Sequence, residues 1–231
     1  MTVAIIPARG GSKRIPGKNT KIFSGRPIIA YAIEIAITSG LFDDVIVSTD
    51  DQKIAEVSES YGAKVPYRRP PELSDDYAST DAVLLHAVQK QLEISPSTKV
   101  ACCIYPTTPF LLADDLRDGL KLLLDKRATC AFPVVKYDFP IEQALALDEC
   151  HIRPVWPEKL TSRSQDLSEH YHDAGLFYWF DIHKFIAAGQ LFVTDSVGFP
   201  IPRYRCQDIN SLEDWEHAEL KFKILGHSLR K

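Results

Sequence analysis

The chain has 231 residues, 45% of them hydrophobic and 25% charged, with 27 basic against 31 acidic side chains and a formal net charge of −4. That length suits one large α/β domain, or one domain with a small appendage, and the composition is that of an ordinary globular protein. The mildly acidic balance argues against nucleic acid as a partner, and no apolar run approaches the roughly 20 residues that cross a bilayer, which argues against a membrane.

Five cysteines are present, with Cys102 and Cys103 adjacent in an apolar run and no pair at C-x-x-C spacing. An odd count in that setting predicts buried thiols in a reducing compartment, not disulfides or a zinc site. The opening "TVAIIPA" is too short for a signal peptide, and its basic residues follow it, so the cytoplasm is the expected location.

In chain order, "VAIIPA" (3–8) is a continuous apolar run closed by a Gly-rich turn, the pattern of a buried parallel strand. Pro27 opens a helix over "PIIAYAIEIAITSG" that Gly40 stops, and "DVIVSTD" (44–50) is a second strand. "QKIAEVSESYGA" predicts a second helix, "AKVPY" (63–67) a short strand, and "RRPPELSDD" (68–76) a Pro-rich loop. Ser79 and Thr80 precede the helix "DAVLLHAVQKQLEI", which offers Val83, Ala87, Val88 and Leu92 to one face. "KVACCIYPTTP" is a third buried strand, "ADDLRDGLKLLLDK" the helix after it, and "TCAFPVVK" (129–136) the strand that ends the alternation. Such alternation implies a mainly parallel sheet with helices on both faces and ligands beyond the carboxyl ends of its strands.

Residues 137–172 carry Pro140, Pro154 and Pro157 and no long periodic run, which predicts an excursion from the core. "GLFYWF" (175–180) returns to strand character, and a further strand is expected just before Asp208. "SLEDWEHAELKFKIL" (211–225) is a helix with Ser211 and Asp214 at capping-box spacing and Leu212, Trp215, Phe222 and Leu225 on one side.

Charge singles out the beginning of the chain. From Met1 to Ile33 there is no Asp or Glu, while Arg9, Lys13, Arg14, Lys18, Lys21 and Arg26 all fall there. A Gly-rich turn after a parallel strand brings backbone N–H groups close to an anion, and Arg9, Lys13 and Lys18 would match several phosphates. The motif "ARGGSKRIPGKN" is neither the dinucleotide fingerprint nor the Walker pattern. The reading is a polyphosphate site, against a solvated basic loop as the plainer alternative.

Two further stretches concentrate polar groups. In "YRCQDINSLED", Asp208 sits before a helix, where it either caps that helix or holds Mg²⁺ beside a triphosphate, since a hard cation takes oxygen ligands. "LTSRSQDLSEHYHDAGLFYW" (160–179) gathers Arg163, Gln165, His170, His172 and Asp173 around Gly175, a set suited to a hydroxylated acid whose carboxylate an Arg would grip. His-x-His lacks a third ligand at metal spacing, and Asp75, Asp76 and Asp81 are expected as caps.

Together "AIIPARGGSKRIPGKN", "VIVSTDD", "RPPELSDD", "YPTTPF" and "QDINSLEDW" resemble the cytidylyltransferases that activate nonulosonic acids, the CMP-sialic acid synthetases and their relatives, over nearly the whole chain. "RSQDL", "YHDAGLFYW" and Tyr105 look most like the members acting on pseudaminic acid, because sialic acid enzymes carry Gln where Tyr105 stands. The resemblance implies a Rossmann-like α/β fold of the nucleotide-diphospho-sugar transferase type, a single domain over 1–231, and attack of a sugar hydroxyl on the α-phosphorus of CTP. It places Arg9, Gly10, Gly11, Ser12, Lys13 and Lys18 on the triphosphate, with Arg9, Lys13, Lys18 and Asp208 as the catalytic set. Asn19, Arg69, Ser79 and Tyr105 fall at the nucleotide, and Arg163, Gln165, His172, Asp173 and Gly175 towards the sugar acid. It further implies Mg²⁺ at Asp208, the first of two acidic family positions whose second is here Asn210, and a homodimer in which 137–172 reaches the partner. A sialic acid substrate, or a CTP-binding chain without turnover because of Asn210, are the alternatives.

Overall fold

The computed structural model describes residues 1–225; the last six positions of the expected 1–231 domain lie outside the described residues. The chain begins with β1 (Thr2–Pro7), a small ladder of β2 (Ile22–Phe23) and β3 (Arg26–Pro27), α1 (Ile28–Ser39), β4 (Asp44–Ser48) and α2 (Gln52–Ser60). It continues through α3 (Thr80–Ile94), β5 (Val100–Ile104), α4 (Ala113–Lys126) and β6 (Cys130–Lys136). A hairpin of β7 (Leu145–Asp148) and β8 (His151–Pro154) follows, then β9 (Tyr171–Asp173), β10 (Phe177–Asp181), α5 (Ile182–Ala188), β11 (Val197–Pro200) and α6 (Leu212–Leu225).

Seven of these strands form one sheet in the order β11-β6-β10-β5-β1-β4, with β9 also on β6. β1 pairs in parallel with β4 and β5, and β11 in parallel with β6. Antiparallel β10 lies between β5 and β6, so those two also run the same way, and only β9 and β10 oppose the rest. The expected mainly parallel sheet is therefore present, with one inserted antiparallel strand.

Period-two alternation divides the core between the faces of the sheet. Ala4, Ile6, Val47, Cys102 and Ile104 are buried with α1, α2 and α4 on one face. Val3, Ile5, Ile46, Ala101 and Cys103 are buried with α3 and α5 on the other. Both sides are covered, which is why these strands read as unbroken apolar runs instead of alternating ones. Trp179 fastens α4 to the sheet: its indole N–H donates to the Leu116 carbonyl at 2.9 Å, and its ring stacks on Phe42 at 4.9 Å. A buried ion pair between Arg205 and Asp115 ties the segment after β11 to the first turn of α4.

A third cluster holds α6. Trp215, Ala218 and Phe222 are buried against Phe23, Ile28, Tyr31 and Phe110. The capping box forms as expected, with the Asp214 N–H donating to Ser211 Oγ at 3.1 Å and the Ser211 N–H to Asp214 Oδ2 at 2.8 Å. Leu212, expected on the buried side, is 56% exposed, because the packed stripe begins one turn later at Trp215.

Other expectations change too. In place of the strand expected over 63–67 there are two isolated parallel bridges, Ile46↔Lys64 and, just beyond it, Thr49↔Arg68, because Pro66 between them has no N–H to continue a ladder. No strand immediately precedes Asp208: β11 ends at Pro200, and a 3₁₀ turn at Arg203–Arg205 follows Pro202. Asp81 does not cap its own helix but accepts from the Leu191 N–H at 3.1 Å. The seven residues of α5 are too few to produce a periodic signal.

Close packing of α4 against the sheet gives a stability test. A Cβ at Gly119 would lie 2.9 Å from ring atoms of both Phe177 and Trp179. Gly→Ala in a helix ordinarily gains about 1 kcal/mol, but overpacking against rigid rings costs about 1–3 kcal/mol. Gly119→Ala therefore lowers the unfolding free energy by up to about 2 kcal/mol in urea titration; a stabilised variant would contradict this packing.

Candidate active site

Beyond the carboxyl ends of β1 and β5 opens a cavity of about 550 Å³. The first loop brings Arg9, Ser12, Lys13, Lys18 and Asn19 to it, the end of β5 brings Tyr105, and the segment before α6 brings Asp208 and Asn210. Residues separated by most of the chain thus meet where a sheet of this kind leaves a crevice.

The first loop is held by its own backbone and by acids from elsewhere. Asn19 is buried and donates from Nδ2 to the Arg9 carbonyl at 2.9 Å. The Gly10 N–H donates to Asp50 Oδ1 at 3.0 Å, and the Ser12 N–H to the Gly10 carbonyl at 2.9 Å. A Cβ on Gly10 would come within 2.7 Å of Asp51 Oδ2, whereas one on Gly11 would meet nothing within 4 Å. Gly10 is therefore needed for close approach to Asp51, and its N–H is engaged by Asp50 instead of facing the cavity. Gly17, with φ 63°, supplies the left-handed turn that aims Lys18 inward.

Lys18 closes the cavity floor. Its Nζ donates to the Ile209 carbonyl at 2.8 Å, joining the first loop to the segment that carries Asp208. Burial pulls its pKa below the usual lysine range, helped by Arg14 and Arg9, while Asp208 pushes it back up. An ammonium in such a setting gains much from an added anion.

The acid-free stretch does find counter-charge in space. Asp76, expected as a cap, sits 2.9 Å from Arg9 Nη2 and 2.5 Å from Lys13 Nζ and lines the same cavity. Arg9 also donates to the Asp75 carbonyl at 2.5 Å. Arg14 adds a further cation to the lining of this cavity. The acid-free stretch signals that counter-charge must come from elsewhere in the chain, but nothing in "LSDD" marks it as the loop that supplies it.

Opposite the cations, the Asn210 amide nitrogen donates to the Asp208 carboxylate, and the Asn210 N–H donates to Asp214 Oδ2 at 2.9 Å. The two side chains offer one carboxylate and one amide oxygen, and no group of three or more His, Cys, Asp or Glu suited to a metal occurs among the described residues. That donor set fits a hard cation completed by phosphate oxygens, and fits no all-protein cage.

The remaining expected residues divide. Arg69 and Tyr105 line an adjoining cavity of about 260 Å³ together with Thr80. Arg69 is buried, donates from Nε to Ser48 Oγ at 3.2 Å, and has its pKa lowered by burial. Tyr105 faces both cavities, and burial raises its pKa. Ser79 is the N-cap of α3, its Oγ accepting from the Ala82 N–H at 3.1 Å. Gln165 lines a separate cavity of about 330 Å³ with Lys136 and His170. Arg163, His172, Asp173 and Gly175 line none of these three cavities. Both Asp173 oxygens are engaged, one by the Gly175 N–H at 2.9 Å and the other by the Tyr178 hydroxyl at 2.5 Å.

A family model described as "Cytidylyltransferase" matches residues 3–188. The chain is 40% identical to the "Pseudaminic acid cytidylyltransferase" of Campylobacter jejuni subsp. jejuni serotype O:2 over 223 residues, 96% of each chain. It is 32% identical to the "N-acylneuraminate cytidylyltransferase" of Oncorhynchus mykiss, over 97% of this chain and 51% of that protein. Among solved structures, a CMP:2-keto-3-deoxy-manno-octonic acid synthetase complexed with CTP superposes with a TM-score of 0.71 at 17% identity, covering 96% of this chain and 98% of that one. That last likeness speaks to the fold, which is the expected nucleotide-diphospho-sugar transferase type. Family model, full-length relatives and the cation-lined crevice agree: the chain belongs to the cytidylyltransferase family, and it is an enzyme of that kind.

Proposed function

We propose that this enzyme activates a nonulosonic acid with CTP, and that the acid is pseudaminic acid. The observation that carries the nucleotide half is the cavity in which Arg9, Lys13 and Lys18 face Asp208 beyond the strand ends. The sugar half rests on the relatives at 40% identity over 96% of both chains.

In this reading the anomeric hydroxyl of the sugar acid attacks the α-phosphorus of CTP, a P–O bond forms, and the bond to the β-phosphate breaks to release pyrophosphate. The three cations hold the triphosphate and stabilise charge that grows on the leaving group. Such a transfer asks mainly for positioning, since little covalent chemistry falls to the protein. Ser12, Gly10 and Gly11 belong to the same loop, and Asn19 keeps its backbone in place. We assign the adjoining cavity with Arg69 and Tyr105 to the base, with Ser79 supporting it as the cap of α3. Arg163, Gln165, His172, Asp173 and Gly175 are proposed to face the sugar acid. Asp173 serves there through Tyr178 and Gly175, which occupy both its oxygens.

We further propose Mg²⁺ as the metal, held by Asp208 and the Asn210 side-chain oxygen together with phosphate oxygens. When bound it supplies positive charge against the phosphates. No helix among the described residues is long and apolar enough to cross a membrane, and we place the reaction in the cytoplasm. We propose one domain over 1–231 that pairs with a second copy through 137–172. Leu145, Leu147, Ile152 and Trp156 are exposed on and beside the β7–β8 hairpin, which favours such a contact.

Purified protein with CTP, Mg²⁺ and pseudaminic acid should release pyrophosphate, with kcat/KM at least about tenfold above that for N-acetylneuraminic acid. A preference for the latter would overturn the substrate and leave the cytidylyl transfer standing. Asn210→Asp adds a carboxylate and should lower the Mg²⁺ concentration for half-maximal rate by about three- to tenfold, because ligand charge tunes hard-cation affinity. No change in that midpoint would remove Asn210 from the metal site.

A further inference from the structure

The first loop should be an open set of cations if it does nothing but wait for phosphate, and it is not. Asp76 bridges two of the three proposed triphosphate cations, at 2.9 Å from Arg9 and 2.5 Å from Lys13. The same loop offers Arg9 a second acceptor, the Asp75 carbonyl. Asp75 shapes the turn: its Oδ1 accepts from the N–H groups of Tyr77 at 2.9 Å and Ala78 at 2.7 Å, an Asx turn beside residue 76. Asp76 lines both the 550 Å³ and the 260 Å³ cavities, as Arg9 and Tyr105 do.

We propose that Asp76 is an internal anion that occupies the triphosphate cradle in the nucleotide-free enzyme and sets its affinity for CTP and for pyrophosphate. The inference rests on the reading of Arg9 and Lys13 as phosphate-binding residues. Its physics is competition. An anion can reach the two cations fully only after the carboxylate has let go, so the observed affinity is the intrinsic one reduced by the fraction of molecules that are open. The pairs are suited to exchange: Asp76 and Arg9 are each 35% exposed at the side chain and Lys13 81%, and ion pairs that wet are weak and easily broken. A triphosphate brings several negative charges and many acceptor oxygens against one carboxylate, so it displaces Asp76. Pyrophosphate left behind after transfer meets the same carboxylate returning, which hastens its departure. The hydrogen bond from Lys13, followed by the charges of Lys13 and Arg9, holds the Asp76 carboxyl below the usual range, so it remains charged at neutral pH.

Asp76 in this role is a positioning residue, acting through Arg9 and Lys13. Calorimetric titration of the full chain with CTP and, separately, with inorganic pyrophosphate, both with Mg²⁺, tests it. Asp76→Asn should tighten both anions together by about three- to tenfold, and Asp76→Glu, which keeps the charge, should restore values close to the parent. Weaker binding of either anion by Asp76→Asn would overturn the proposal and make Asp76 a ligand of nucleotide or metal. Unchanged affinities would overturn it as well. Lys13→Ala separates this from failure of the cradle itself: if that variant binds CTP as well as the parent does, the assignment of the cradle falls, and if it binds more weakly while Asp76→Asn tightens nothing, only the competition falls.

Discussion

The hydrogen bond from Lys18 Nζ to the Ile209 carbonyl spans 191 positions of sequence, and the site depends on it. It fixes the distance between a cationic loop at one end of the chain and a carboxylate-bearing segment at the other. Neither partner is left to position itself. Ile209 is buried in the cluster that anchors α6, where Phe23 meets Trp215, Phe222 and Tyr31 edge-on at 5.4 to 5.7 Å between ring centroids. Those rings bind the last helix to the short β2–β3 ladder that follows the first loop. Packing far from the cavity thereby sets where Asp208 stands relative to Arg9, Lys13 and Lys18, as a precise site requires of its supporting shell.

Gathering cations in a crevice is costly unless other groups offset it. The fold answers with acids drawn from three places: Asp50, which accepts from the Gly10 N–H; Asp76, which bridges Arg9 and Lys13; and Asp208, which raises the pKa that burial and Arg14 lower at Lys18. These neutralise the loop by different degrees of attachment. Asp50 is tied to backbone, whereas Asp76 holds side chains alone and can yield to a stronger anion. In the proposed reading, the result is a cradle that is stable when empty and still open to phosphate.

Much of this was legible in the sequence. The apolar runs at 3–8 and 99–109 announced buried parallel strands, and Gly40 and the Ser211/Asp214 pair marked helix ends that the structure has. The loss of acids over the first 33 residues pointed at the cavity that now holds Arg9, Lys13 and Lys18. What the sequence hid follows from its one-dimensional character. It could not show that "SDD" folds back on residues some 66 positions away, as the Arg9–Asp75 contact does. Gly10 looked like a residue that bares its N–H to a ligand, but its small size serves contact with Asp51. The β10 insertion was invisible as well, because antiparallel and parallel buried strands share one apolar pattern. In the segment 160–179 the polar density suggests one site, whereas Gln165 lines a cavity apart from Asp173, whose oxygens hold Gly175 and Tyr178.

On the proposed reading the first loop and the Asp208 segment together make a site for a triphosphate, and not merely for a cytidine nucleoside or a single phosphate. Equilibrium titration of the protein with CTP and with CMP at fixed Mg²⁺ decides between these. Each charge-assisted hydrogen bond to the β- and γ-phosphates contributes about 1.5–3 kcal/mol, so CTP should bind at least about tenfold more tightly than CMP. Equal affinities for the two nucleotides would contradict it.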